Sequence, residues 1–112
     1  MICATVSVDS GQYTGIEMSG HAGNAENHVE GQDLVCSAVS ALTINMANSI
    51  EQFTDDTFEA DMDDKTGFFS FHFTSSDVSP EAHLLMNSLI FGLQDIEEAY
   101  GEPYIKIRFE EV

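Results

Sequence analysis

The sequence predicts an α+β fold, a two-layer sandwich in which a mainly antiparallel five-stranded sheet carries two helices on one face. Three observations lead there. Five segments alternate apolar and polar side chains with period two, two longer segments repeat apolar residues every three or four positions, and their order along the chain is β-β-α-β-β-α-β. Strands with one apolar and one polar face suit an antiparallel sheet covered on one side. At 112 residues the chain fits one compact domain spanning 1–112, with no linker or repeat to divide it.

In ICATVSV, residues 2–8, Ile2, Ala4, Val6 and Val8 share one face, with Cys3, Thr5 and Ser7 on the other. DSGQ then reads as a turn. The alternation resumes from Tyr13 to Ser19 with Ile16 and Met18 on the apolar side, so the two strands form a hairpin. From about Leu34 to Gln52 the stripe Val35, Val39, Leu42, Met46, Ile50 and Phe53 has helical spacing, and Asp33 stands where an N-cap would accept the first free backbone N–H groups. A second hairpin follows. Phe58, Ala60 and Met62 alternate with acidic residues, DDKTG makes a polar turn, and Phe69, Phe71 and Phe73 alternate with Ser70, His72 and Thr74. Ser79 before Pro80 is the cap-then-proline order that opens a helix. Its stripe runs through Ala82, Leu85, Met86, Leu89, Ile90, Leu93 and Ile96 and stops near Tyr100, ahead of Gly101. A last strand, YIKIRF, sets Ile105, Ile107 and Phe109 opposite Lys106 and Arg108.

Charge limits the function. Twenty acidic side chains oppose three basic ones, a formal net charge of -17. Such a field repels phosphate backbones and anionic lipid, which argues against nucleic-acid or membrane partners and favours a cationic peptide or protein; solubility alone is the plainer use of the same charge. No apolar run nears the roughly 20 residues that span a bilayer, and MICATVSVDSGQ lacks a secretory pattern, so a cytoplasmic location is expected. Cys3 and Cys36 form neither a CxxC pair nor a zinc-type cluster and read as free thiols.

The residues that could carry chemistry gather between 20 and 37. With Asp33 as cap, Cys36 falls at the third helical position, where partial positive charge and unpaired N–H donors favour a thiolate and could hold an oxyanion. A small, buried, apolar filler is the competing role, and periodicity alone leaves it the better supported one. His21 lies just past the second strand, between Gly20 and Gly23, where a general base could meet the thiol. A surface or hydrogen-bonded structural histidine is the alternative. GNAENHVEGQ between them has no apolar periodicity and reads either as a lid or as a solvated connection. His21, His28, Asp33 and Cys36 could all ligate zinc, but their spacings match none of the usual pairings, so no metal is assigned. His72, His83 and Cys3 read as structural, and the acidic pairs at Asp55–Asp56 and Asp63–Asp64 as turn residues. No phosphate-cradling glycine motif is present, and no cofactor is expected.

Gly20-His21-Ala22, then Gly31, Asp33, Val35-Cys36 and Ala38-Val39-Ser40-Ala41-Leu42 resemble the GHA…GxDxVCxAVSxL signature of the ribosomal-processing cysteine protease family Prp. The resemblance implies a cysteine endopeptidase that removes a short N-terminal extension from the twenty-seventh protein of the large ribosomal subunit. The cysteine matching Cys36 is then the nucleophile and the histidine matching His21 its acid/base partner. Gly20, Ala22, Gly23, Gly31, Asp33 and Ser37 become substrate-binding or site-supporting positions. Family members tend to be homodimers, and the substrate is a basic ribosomal protein. The interval from His21 to Cys36 is a few residues longer than the family usually has, the surplus lying in NAENHVE, and Ser37 stands where alanine is common. A non-enzymatic, acidic ribosome-assembly module that binds a basic protein is the alternative function.

Overall fold

A computed structural model describes residues 1–21 and 31–112. The elements follow in the expected order: β1 (Ile2–Asp9), β2 (Gln12–Ser19), α1 (Gln32–Phe53), β3 (Phe58–Asp63), β4 (Phe68–Phe73), α2 (Pro80–Tyr100) and β5 (Ile105–Glu111). The strands form one sheet in the order β3-β4-β2-β1-β5.

Ser10 and Gly11, with φ of 54° and 79°, close the β1–β2 hairpin as a two-residue turn whose twist matches the flanking strands. The register shifts between Ser7 and Val8, a bulge, yet Ala4↔Met18 and Val6↔Ile16 stay opposed on the apolar face.

The sheet is mixed, not uniformly antiparallel, since β5 runs parallel to β1. Each helix carries the chain back along the sheet, so β5 takes the direction of β4. That direction is opposite to β2 and therefore the same as β1. Alternating polarity reports which face a side chain occupies and carries no information on strand direction.

One face of the sheet and both helices share a single core: Ile2, Ala4, Val6, Ile16, Met18, Phe69, Phe71 and Ile105 meet Val35, Val39, Met46, Ile50, Ala82, Met86, Leu89, Ile90 and Leu93. The stripe on α1 differs from its expected course. Thr43 is only 2% exposed, whereas Leu42 is 37% and Phe53 75% exposed. A straight helix turns the steps 35, 39, 43, 46, 50 to one side, and a threonine there is invisible to an apolar pattern. Its hydroxyl donates to the Val39 carbonyl at 2.5 Å, so it is buried with its hydrogen bond made. Leu42 instead reaches across to α2 at Gly92, where an added Cβ would come within 3.0 Å of the leucine methyl.

The start of α1 also departs from expectation. Gly31 is the N-cap, at a left-handed φ of 87°, and its carbonyl accepts from Val35 N–H at 3.1 Å. Asp33 lies inside the first turn, not at the cap position, and its charge is favourable beside the helix N-terminus. A backbone conformation that glycine adopts without steric cost thus starts the helix two residues earlier than a carboxylate cap would.

At α2 the expected cap is present: Ser79 Oγ accepts from Ala82 N–H at 3.1 Å, with Pro80 following. Asp56 holds that serine. Its carboxylate accepts from the Ser79 N–H at 3.0 Å, from the Ser79 hydroxyl, and from Ser75 Oγ at 3.2 Å. The link ties the segment after α1 to the start of α2. The Ser79 hydroxyl, aided by the other donors, holds the Asp56 carboxyl below its ordinary value of 3.8. A depressed folded value means that the carboxylate stabilises the fold above the ordinary value, and that this contribution fades as pH falls through the depressed one. Asp56→Asn is therefore expected to lower the melting temperature at neutral pH, and the gap from wild type, followed by circular dichroism, to close on acidification. Ser79→Ala is expected to cost about 1 kcal/mol in urea unfolding.

Candidate active site

The end of β2 and the turn after β3 meet, and the meeting seats His21. Gly20 N–H donates to the Thr66 carbonyl at 3.2 Å. Immediately beyond, His21 Nε2 lies 3.2 Å from the Lys65 carbonyl. A carbonyl only accepts, so Nε2 carries the proton, and in the neutral ring Nδ1 is left as the basic nitrogen. The approach depends on Gly67. At its φ of 71° an added Cβ would run into the Gly20 carbonyl and lie 3.2 Å from His21 Cε1.

His21 and Cys36 line one cleft of about 110 Å³. Its apolar floor comes from Ile2, Met18 and Phe69. Cys36, Ser40 and Ile44 of α1 form one wall, and Met62, Asp63 and Phe68 of the β3–β4 hairpin form the other. Cys36 is half-buried and packs in part against the core, a thiol anchored at its base and open to the cleft.

With α1 beginning at Gln32, Cys36 is the fifth helical residue, not the third. The donors that helix geometry leaves open come before Val35, whose N–H is already bonded to Gly31. Helical side chains lean toward the N-terminus, however, so a sulfur at position 36 overhangs the turn that carries those donors.

Of the other expected site residues, Gly20 lines the cleft, while Gly31, Asp33 and Ser37 do not; Ala22 and Gly23 lie outside the described residues, as does nearly all of the expected lid. Among the described residues no three His, Cys, Asp or Glu side chains converge as a metal site. His28, one of the four considered as ligands, lies outside them. Among the described residues no helix is long and apolar enough to cross a membrane. Cys3 is exposed on the open face of the sheet, His72 pairs with Glu59 at 3.3 Å, and His83 packs edge-on against Phe73. The Lys65 carbonyl, Gly67, Ile44 and Met62 also belong to the site, which their positions in the sequence do not signal. DDKTG was legible as a turn, but nothing in it announces what the turn will touch.

The family described as cysteine protease Prp matches residues 1–106. The chain belongs to that family. It is 36% identical over 104 residues to the ribosomal processing cysteine protease Prp of Staphylococcus aureus, covering 91% of this chain and 93% of the relative. It is also 36% identical over 108 residues to the Bacillus subtilis protein of that name, covering 91% and 92%. The crystal structure of the S. aureus Prp with a substrate peptide superposes with a TM-score of 0.86 at 29% identity, over 98% of this chain and all of the other. The same protease with a covalently linked product peptide gives 0.83, also at 29% identity. The two-layer fold and the membership in a cysteine protease family thus agree with the resemblance carried by residues 20–42.

Nitrogen NMR of the neutral His21 ring is expected to show the Nε2–H tautomer. Gly67→Ala should destabilise the fold by at least about 1 kcal/mol in urea and mix the two tautomers as the turn draws back.

Proposed function

We propose that the chain is a cysteine endopeptidase in which Cys36 attacks and His21 moves the proton. Residues 1–112 act as one protease domain on a ribosomal protein substrate. The observation that carries this reading is the shared cleft: the half-buried Cys36 thiol and a histidine whose Nε2–H is committed to the Lys65 carbonyl border the same space. Orienting one imidazole nitrogen leaves the other for chemistry, the role that a carboxylate or amide side chain plays in other nucleophile–base pairs.

In the proposed sequence His21 Nδ1 takes the Cys36 proton and the sulfur attacks the scissile carbonyl carbon. Backbone N–H groups of the first turn of α1 stabilise the oxyanion. Collapse of the adduct breaks the C–N bond, and the imidazolium protonates the leaving amine. Water then attacks the thioester, His21 accepts its proton, and the acid product leaves with the thiol restored. The S. aureus relative captured with a covalently linked product peptide supports an enzyme-bound intermediate of this kind.

The substrate in this proposal is the twenty-seventh protein of the large ribosomal subunit, which loses its N-terminal extension during ribosome maturation in the cytoplasm. A net charge of -17 speeds encounter with a basic ribosomal protein, and contacts in the cleft choose the bond. A homodimer belongs to the same proposal, with the open polar face of the sheet available to a partner subunit.

Mixing the protein with the extended ribosomal protein and weighing the products by mass spectrometry tests the assignment. Cys36→Ala is expected to abolish cleavage, and His21→Ala to slow it by roughly 10²–10⁴-fold. Undiminished cleavage by Cys36→Ala would end the proposal.

A further inference from the structure

β3 is an edge strand, hydrogen-bonded to β4 alone among the described residues. Its register with β4 settles which backbone groups face outward. Thr74 N–H donates to the Thr57 carbonyl at 2.9 Å, which makes 57 and 74 a directly bonded pair in line with Phe58↔Phe73. Bonded and non-bonded pairs alternate in an antiparallel ladder, so Glu59↔His72, Asp61↔Ser70 and Asp63↔Phe68 exchange hydrogen bonds. The N–H and C=O groups of Phe58, Ala60 and Met62 therefore point away from the sheet.

The side chains of the same three residues face the helix layer. Phe58 stacks on Phe71 at 4.8 Å, and Met62, 57% exposed, lines the cleft with Cys36. The free edge thus leads into the cleft. Glu59 and Asp61 project from the opposite face, where Glu59 meets His72. The other edge of the sheet, β5, carries Lys106 and Arg108 on that open face.

We propose that the outer edge of β3 is a strand-addition site for the substrate: an extended, lysine-bearing segment pairs with the backbone of Phe58, Ala60 and Met62 and is led by that register to Cys36. Strand addition draws affinity from main-chain hydrogen bonds and selectivity from alternate side chains. Here one set of substrate side chains lies beside Met62 and Ile44 on the helix side, and the alternate set meets the carboxylates of Glu59 and Asp61. Those carboxylates select the occupant. A second copy of this chain would set acid against acid, a common guard on exposed edges, whereas a basic strand is attracted. The basic β5 edge repels the same segment.

The inference rests on the protease reading for the identity of the substrate, and its test separates the two. Ala60→Pro deletes an outward N–H without cutting the ladder to β4, a position where an edge strand tolerates proline. With a synthetic peptide spanning the cleavage region of the ribosomal protein, the variant is expected to lose about tenfold in kcat/KM, while iodoacetamide alkylates Cys36 at the wild-type rate. A folded Ala60→Pro protein with wild-type kcat/KM overturns strand addition. Amide hydrogen exchange in Cys36→Ala supplies an answer whether or not the proline variant folds: the peptide should protect the amides of Phe58, Ala60 and Met62, and unchanged exchange overturns the inference. Cleavage by wild type without edge protection sinks strand addition alone. Edge protection in Cys36→Ala without cleavage by wild type sinks the protease reading alone.

Discussion

Two backbone segments can lie against each other only where neither carries a side chain at the point of contact, and the approach of Gly67 to Gly20 is such a place. β2 is bonded on both sides, to β1 and β4, so its last residues are held by the interior of the sheet. The β3–β4 turn folds against that end. Its consecutive carbonyls, Lys65 and Thr66, receive the His21 ring and the Gly20 amide. The imidazole is thereby positioned by main chain, whose location is determined by the fold rather than by a rotamer. Asp63 helps shape the turn, its carboxylate accepting from Lys65 N–H at 3.0 Å. Loss of the close approach would free the histidine and open one wall of the cleft together.

The thiol comes from the opposite layer. α1 places Val35 and Val39 in the core and Cys36 beside them at the boundary, so burial of the helix also locates the sulfur. The two helices are held in register at two remote points: Leu42 over Gly92, and Asp56 bridging to the Ser79 cap. The proposed chemistry thus draws one group from the end of a central strand and one from a helix, with an apolar floor between them.

Much of this was legible in the sequence because alternation and helical spacing are direct prints of burial. The capped start of α2 at Ser79–Pro80 could be read to the residue, since its signal is local. The start of α1 is ambiguous in sequence because Asp33 offers the more familiar cap, whereas the helix starts from the left-handed Gly31. Thr43 was passed over because its hydroxyl satisfies itself within the helix and leaves the residue able to enter the core. The direction of β5 depends on where the chain re-enters the sheet, a property of the whole path. The flanking motif singles out His21 and Cys36, and both line the cleft. The carbonyl that orients the ring is not singled out, because backbone groups leave no mark on composition and Lys65 is 44 residues away.

The pairing of β1 with β5 joins the first strand to the last, with Ile2 opposite Ile105 and the Ile2 amide bonded to Tyr104. Ile2 also lies in the floor of the cleft. Contacts this distant along the chain form late, because the intervening loop must first be closed. During synthesis the flank of β1 away from β2 stays unpaired until β5 leaves the ribosome. A nascent chain therefore carries Cys36 long before it carries β5, the strand that pairs with Ile2 and so secures one part of the floor beside the proposed nucleophile.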